Sequence, residues 1–149
     1  MEDLEIFRNN FINLAERLDC KKYEIPARIG ISYSIYKSII EYGKLPKPKI
    51  LIRIADYFEV SLEYLLGRTG EQDFIPAPAP SSFLERYELL KSEKHFTDYR
   101  VAQKLHVSTS YTTNWKKLNF LPSLDNLIIL SEIFKVSLDY LLGRTDYRN

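Results

Sequence analysis

Apolar residues return along this chain at helical spacing. Ile6, Phe7, Phe11, Leu14, Ala15 and Leu18 form one stripe, and Ile50, Leu51, Ile54, Ala55 and Phe58 another. Phe83, Leu84, Tyr87 and Leu90, then Leu127, Leu130, Ile133 and Phe134, do the same further on. Side chains three and four positions apart share one face of an α-helix, so each stripe predicts an amphipathic helix with its apolar face in a core. The period-two alternation of a half-buried strand is not sustained anywhere, and the expected fold class is all-α.

The pattern occurs twice. Moving the chain by 76 positions, so that residue 59 falls on residue 135, lays EVSLEYLLGRT on KVSLDYLLGRT. The same shift puts Phe7 on Phe83, Leu14 on Leu90, Tyr23 on Tyr99, Ser32 on Ser108, Ser34 on Ser110, Pro46 on Pro122, Leu51 on Leu127 and Phe58 on Phe134, without a gap. Two homologous units follow, of about 65 residues each, a size at which one small core is feasible. Ser61 and Ser137 are placed to cap a last short helix, whose glycine supplies a left-handed stop. The expected organisation is two five-helix units, 1–69 and 83–149. Between them GEQDFIPAPAPSS, 70–82, is expected as an extended, semi-rigid Pro/Ala linker.

From Phe96 the second unit reads FTDYRVAQKLHVSTSYTTNWKKLNFLPSLDNL. Thr97 is an N-cap position, Val101, Ala102 and Leu105 mark a buried stripe, and Val107 with Ser108 opens another helix after a short turn. Two short helices joined by a tight turn make a helix-turn-helix pattern. The first unit matches it in register from Lys21, KKYEIPARIGISYSIYKSIIEYGKLPKP, with Gly30 at the turn and Ile31–Ser32 before the third helix. Both units resemble the helix-turn-helix domains of phage repressors and Cro, the xenobiotic-response-element family of bacterial regulators. VSLDYLLGRTD resembles that family's C-terminal helix, and SxxxxxxxW followed by LPSLDNL resembles its run from third helix to fourth.

The resemblance implies that each third helix enters the DNA major groove with its N-terminal residues at base edges. Carried across, the groove-facing residues are Tyr33, Ser34, Lys37 and Ser38 in the first unit and Thr109, Ser110, Thr113 and Asn114 in the second. Tyr36 and Ile39, or Thr112 and Trp115, then turn inward. Asn114 is the strongest candidate for base readout, because its amide can donate to and accept from adenine. Phosphate contacts are expected from the start of the second helix, the loop after the third and nearby lysines: Lys21, Lys22, Lys44, Lys47, Lys49, Thr97, Lys116 and Lys117. The family's last helices often help form dimers, so a homodimer through an exposed part of the closing phrase is also implied. Three residues depart from the pattern. Pro26 falls inside the second helix, Asp98 stands where the family often has a phosphate-touching glutamine, and His106 replaces the turn glycine.

Net charge is only +1 over 149 residues, but its distribution is uneven. Residues 20–53 carry eight basic side chains against two acidic, and residues 91–121 six against two. Positive charge gathered at both motifs is what counterion release from DNA requires. The single cysteine, Cys20, cannot form an internal disulfide, and MEDLEIF is acidic where a secretory leader is basic. No apolar run approaches the roughly 20 residues that span a bilayer. A cytoplasmic location with no membrane partner is therefore expected. Cys20, His95 and His106 make no metal or nucleophile constellation, and neither a Gly-rich phosphate loop nor a Ser, His, Asp arrangement is present. No catalytic residue, metal, cofactor or small-molecule ligand is expected.

The leading expectation is thus a non-enzymatic, sequence-specific double-stranded DNA-binding protein, a transcriptional regulator whose two motifs read two half-sites. The alternative is a protein-interaction or antitoxin-like module that kept the fold with degenerate DNA-binding motifs.

Overall fold

Short polar side chains begin most helices and left-handed residues end them. Ser32, Ser61, Ser82, Thr97, Ser123 and Ser137 each stand extended ahead of a helix, and each hydroxyl oxygen accepts the backbone N–H three residues on. Gly30, Gly43, Glu59, His95, His106, Asn119 and Lys135 close helices with positive φ. The structure, a computed structural model, describes residues 2–149, with side chains from Leu4 onward. No strand occurs among the described residues, and the fold is all-α.

The chain divides into two compact units, the first ending at Phe74 and the second spanning Ile75–Asn149. The first contains α1 (Glu2–Ala15), a 3-10 turn (Lys22–Glu24), α2 (Ile25–Ile29), α3 (Tyr33–Tyr42), α4 (Pro48–Phe58) and α5 (Leu62–Leu65). The second contains α6 (Phe83–Lys94), α7 (Asp98–Leu105), α8 (Thr109–Leu118), α9 (Leu124–Phe134) and α10 (Leu138–Leu141).

Each unit has its own core. Phe7, Phe11, Leu14, Ile29, Ile39, Leu51, Ile54 and Leu65 are buried in the first. In the second, Trp115 is fully buried and stands edge-on to Phe83, Tyr87 and Tyr111, with ring centroids 5.7, 5.2 and 5.5 Å away. Such pairs add about 0.5–1.5 kcal/mol each beyond the area buried. The first stripe is narrower than its spacing suggests. Helix α1 stops at Ala15, short of Leu18, and Ile6 stays 40% exposed beside Gly67, which has no side chain to cover it. Pro26 sits in the first turn of α2, where its missing N–H breaks no helical bond, and α2 is only five residues long.

The repeated phrase is a packing device. Leu62, Tyr64, Leu65 and Leu66, and their counterparts Leu138, Tyr140, Leu141 and Leu142, are buried in their own units. Arg68 turns back so that its N–H donates to the Glu63 carbonyl at 2.7 Å and its Nε pairs with the Glu63 carboxylate at 3.0 Å. Arg144 does the same with Asp139, and that ion pair is buried. Every apolar side chain of either phrase is buried, none more than 9% exposed.

Residues 70–82 carry no helix or strand, and the second half of the segment is bound. The Ala77 N–H donates to the Arg144 carbonyl at 2.9 Å, the Ser81 N–H to the Gly143 carbonyl at 3.2 Å, and the Thr145 hydroxyl to the Ile75 carbonyl at 2.7 Å. Residues 75–81 thus lie along the closing turn of the second unit. Gly143 makes this possible. At φ +75, a Cβ there would stand 1.9 Å from the Ser81 carbonyl oxygen. Gly143→Ala should destabilise the second unit by about 2–4 kcal/mol, combining left-handed strain with overpacking against backbone. Gly70→Ala, with nothing within 4 Å, should leave urea unfolding unchanged.

Candidate nucleic-acid interface

Helix α3 is aimed by the turn before it. Gly30 takes φ +86, and its N–H and that of Ile31 both reach the Pro26 carbonyl, at 2.9 and 3.0 Å. This closes the end of α2 in a conformation that a Cβ would strain. From α4, Arg53 donates through Nη1 to the Gly30 carbonyl at 2.7 Å and holds the turn in place. His106 takes the same conformation in the second unit at φ +57, with Val107 N–H on the Ala102 carbonyl at 3.0 Å. Without glycine's freedom this costs on the order of 1 kcal/mol.

The turns leave one face of each third helix outside. On α3, Tyr33, Ser34 and Lys37 are exposed and Ser38 is half-buried. Ile39 is fully buried, and Tyr36 is half-buried with its ring 6.0 Å from that of Phe11. On α8, Thr109, Ser110 and Thr113 are exposed, Asn114 is half-buried, and Thr112 and Trp115 lie in the core. The Thr112 hydroxyl is near the carbonyls of Asp98 (3.2 Å) and Thr109 (2.9 Å), tying α8 to the start of α7. The Thr113 hydroxyl is turned back to the Ser110 carbonyl at 3.2 Å. Among the described residues the Asn114 amide has no hydrogen-bond partner. Ser108 holds the cap position without the expected cap bond, because its Oγ lies 3.0 Å from Ser110 Oγ instead.

The flanks of the two units differ. Lys21 and Lys22 are exposed ahead of α2. Lys44, Lys47 and Lys49 are exposed around the start of α4, where Lys47 is the cap residue and the first turn contains no acid. Ammonium groups crowded at the positive end of a helix repel it and one another, and a bound anion relieves both. At the same register the second unit has Ser123, which caps α9, and Asp125. Its Lys116 and Lys117 lie in the last turn of α8, where the helix dipole itself favours them. The Thr97 hydroxyl oxygen caps α7 at 3.1 Å.

Spacing did not reveal what holds Asp98. Its carboxylate accepts the Tyr87 hydroxyl at 2.8 Å and Lys91 Nζ at 2.6 Å, joining α6 to α7. Lys91, counted above with the charge of the second motif, is 9% exposed and also pairs with Glu88 at 3.2 Å, so it is not a free surface cation. One signal was available: Lys91 occupies the register of Ala15, in the buried stripe of the other copy. Burial raises the Asp98 carboxyl, but the bonds from Lys91 and Tyr87 and the charges of Lys91 and Lys116 outweigh it and hold the group below the usual carboxylate range. Burial and then the bond to Asp98 push the Tyr87 phenol far above its ordinary value.

The arrangement presents polar donors and acceptors on two helical faces, uncharged except for Lys37, with further lysines concentrated beside the first. No group of three His, Cys, Asp or Glu able to hold a metal occurs among the described residues, and none of their helices is long and apolar enough to cross a membrane. No protein-family model matches the chain, and no solved structure matches it. It is similar to an uncharacterized HTH-type transcriptional regulator, YobD, of Bacillus subtilis (strain 168), with 31% identity over 64 residues. The match covers 43% of this chain and 57% of that protein, so the chain spans a little over half the length of its relative.

The Asp98 network has a pH signature. An unfolded chain protonates this carboxylate near pH 4, and the folded chain does so lower. The stabilisation is therefore complete above about pH 4 and is lost as pH falls through the folded value. Asp98→Asn should cost about 1 kcal/mol at pH 7, a modest figure because the carboxylate side chain is 33% exposed. Urea unfolding should show the difference shrinking by pH 3. An equal difference at both values would contradict the assignment.

Proposed function

We propose that this chain is a sequence-specific double-stranded DNA-binding protein of the phage repressor and Cro type, a cytoplasmic, non-enzymatic transcriptional regulator using both helix-turn-helix units. The observation that carries the reading is the pair of third helices, α3 and α8. Each follows a left-handed turn, buries Ile39 or Trp115, and keeps Tyr33, Ser34 and Lys37, or Thr109, Ser110 and Thr113, in solvent. Polar side chains on the first turns of such a helix suit base edges in a major groove. The similar Bacillus protein is named as an HTH-type transcriptional regulator, which supports the same reading.

In this account units 1–69 and 83–149 each engage a half-site, and segment 70–82 makes the second engagement intramolecular. Lys21, Lys22, Lys44, Lys47 and Lys49 grip phosphate in the first unit, and Thr97, Lys116 and Lys117 do so in the second. One observation favours the alternative for the second unit, a protein-interaction module with a degenerate motif. Asp98 is locked as an anion where a phosphate contact is expected.

A mobility-shift assay on genomic duplex fragments across a salt series tests the reading. A specific band that persists as salt rises supports it, and no shift even at low salt overturns it. Asn114→Ala should weaken the preferred site by about 1–3 kcal/mol and leave non-specific binding unchanged. Equal loss on all sequences would remove Asn114 as a base reader. Changing Lys44, Lys47 and Lys49 together to Ala should weaken every duplex alike and reduce the log–log salt slope by nearly three units. Unaltered binding would make that cluster solvated surface.

A further inference from the structure

The two units have diverged over most of their surfaces, and what they still share there is informative. Among described residues exposed in both units, only three pairs are identical at the 76-residue shift: Tyr23 with Tyr99, Ser32 with Ser108, and Ser34 with Ser110. Tyr23 lies in the 3-10 turn just ahead of α2, Tyr99 in the first turn of α7, and both serine pairs at the start of the third helix. Ser32 and Ser108 occupy N-cap positions, which the fold explains. Ser34 and Ser110 are already among the groove-facing residues. Tyr23 and Tyr99 are unexplained. The two residues are 68% and 59% exposed, so burial does not retain them.

The surroundings of these tyrosines have reversed charge. Lys22 stands where the second unit has Asp98, and Glu24 where it has Arg100. What the two motifs keep at this place is not a charge but a phenol. In the second unit its oxygen accepts from Gln103 Nε2 at 3.1 Å, which leaves the phenolic hydrogen free to donate outward. In a helix-turn-helix the second helix runs beside the sugar-phosphate backbone while the third enters the groove. A phenol donor at its start meets phosphate oxygens, not bases.

We infer that Tyr23 and Tyr99 are equivalent phosphate-contacting residues, one per unit, and that both units therefore dock on DNA in the same orientation. This rests on the DNA-binding reading above. The contact adds affinity and register without adding charge, so its removal weakens binding while leaving the salt slope intact.

The test uses the full chain and a duplex recovered by in vitro selection from a random library, followed by fluorescence anisotropy across a potassium chloride series. Tyr23→Phe and Tyr99→Phe should each weaken binding roughly two- to tenfold, the worth of one hydrogen bond. The factor should be the same on a scrambled duplex, with salt slope and thermal melting unchanged. In the double variant the two losses should multiply. Wild-type affinity in either single variant overturns the shared role, and so does a loss confined to the selected duplex. If the wild-type chain enriches no duplex at all, the DNA-binding reading itself has failed and this inference falls with it.

Discussion

Everything at the proposed interface depends on one backbone conformation, the left-handed residue between the second and third helices. It decides which side of a ten-residue helix meets the core. With Gly30 at φ +86, Ile39 goes inward and Tyr33, Ser34 and Lys37 are left outside. The second unit reaches the same geometry with His106, at a strain on the order of 1 kcal/mol. Burial of Trp115 against three aromatic rings outweighs that strain several-fold, since truncating a buried tryptophan typically costs about 3–5 kcal/mol. A core built around Trp115 tolerates the poorer turn.

The two copies have kept different things for different reasons. Their closing phrases are nearly identical because each must cap a four-residue helix, turn left-handed at glycine and return an arginine to an acid one turn back. That is a packing requirement with little latitude. Around the third helices the requirement is looser, and Lys47 and Lys49 in one copy stand against Ser123 and Asp125 in the other. In the proposed reading, electrostatic attraction to a polyanion falls mainly to the first unit. The second presents Asn114 and a carboxylate fixed by Lys91 and Tyr87.

Local features were legible in the sequence, and contacts between distant residues were not. The caps at Ser61, Thr97 and Ser137 and the left-handed Gly30 follow from rules spanning a few residues, whereas the inward turn of Ile39, Thr112 and Trp115 was implied by the family resemblance. Periodicity overstated α1 at both edges, because nothing in the spacing shows that Ile6 borders a glycine or that the helix stops before Leu18. The composition of 70–82 suggested a spacer but carried no sign that Ala77 and Ser81 bond to the closing turn. Counting charge grouped Lys91 with the positive charge of the second motif, whereas its bond to Asp98 draws it inside. Pairings of this kind depend on how α6 meets α7, which no pattern along one helix encodes.

In the proposed reading α3 and α8 are two faces for the same ligand, duplex DNA. Amide chemical shifts of the isotopically labelled chain, followed as a selected duplex is added, address it directly. The account predicts two clusters of perturbed amides, one from Tyr23 to Lys49 and one from Tyr99 to Lys117, with Leu62–Leu65 and Leu138–Leu141 little changed. Perturbations confined to one cluster, or centred on the closing phrases, would contradict it.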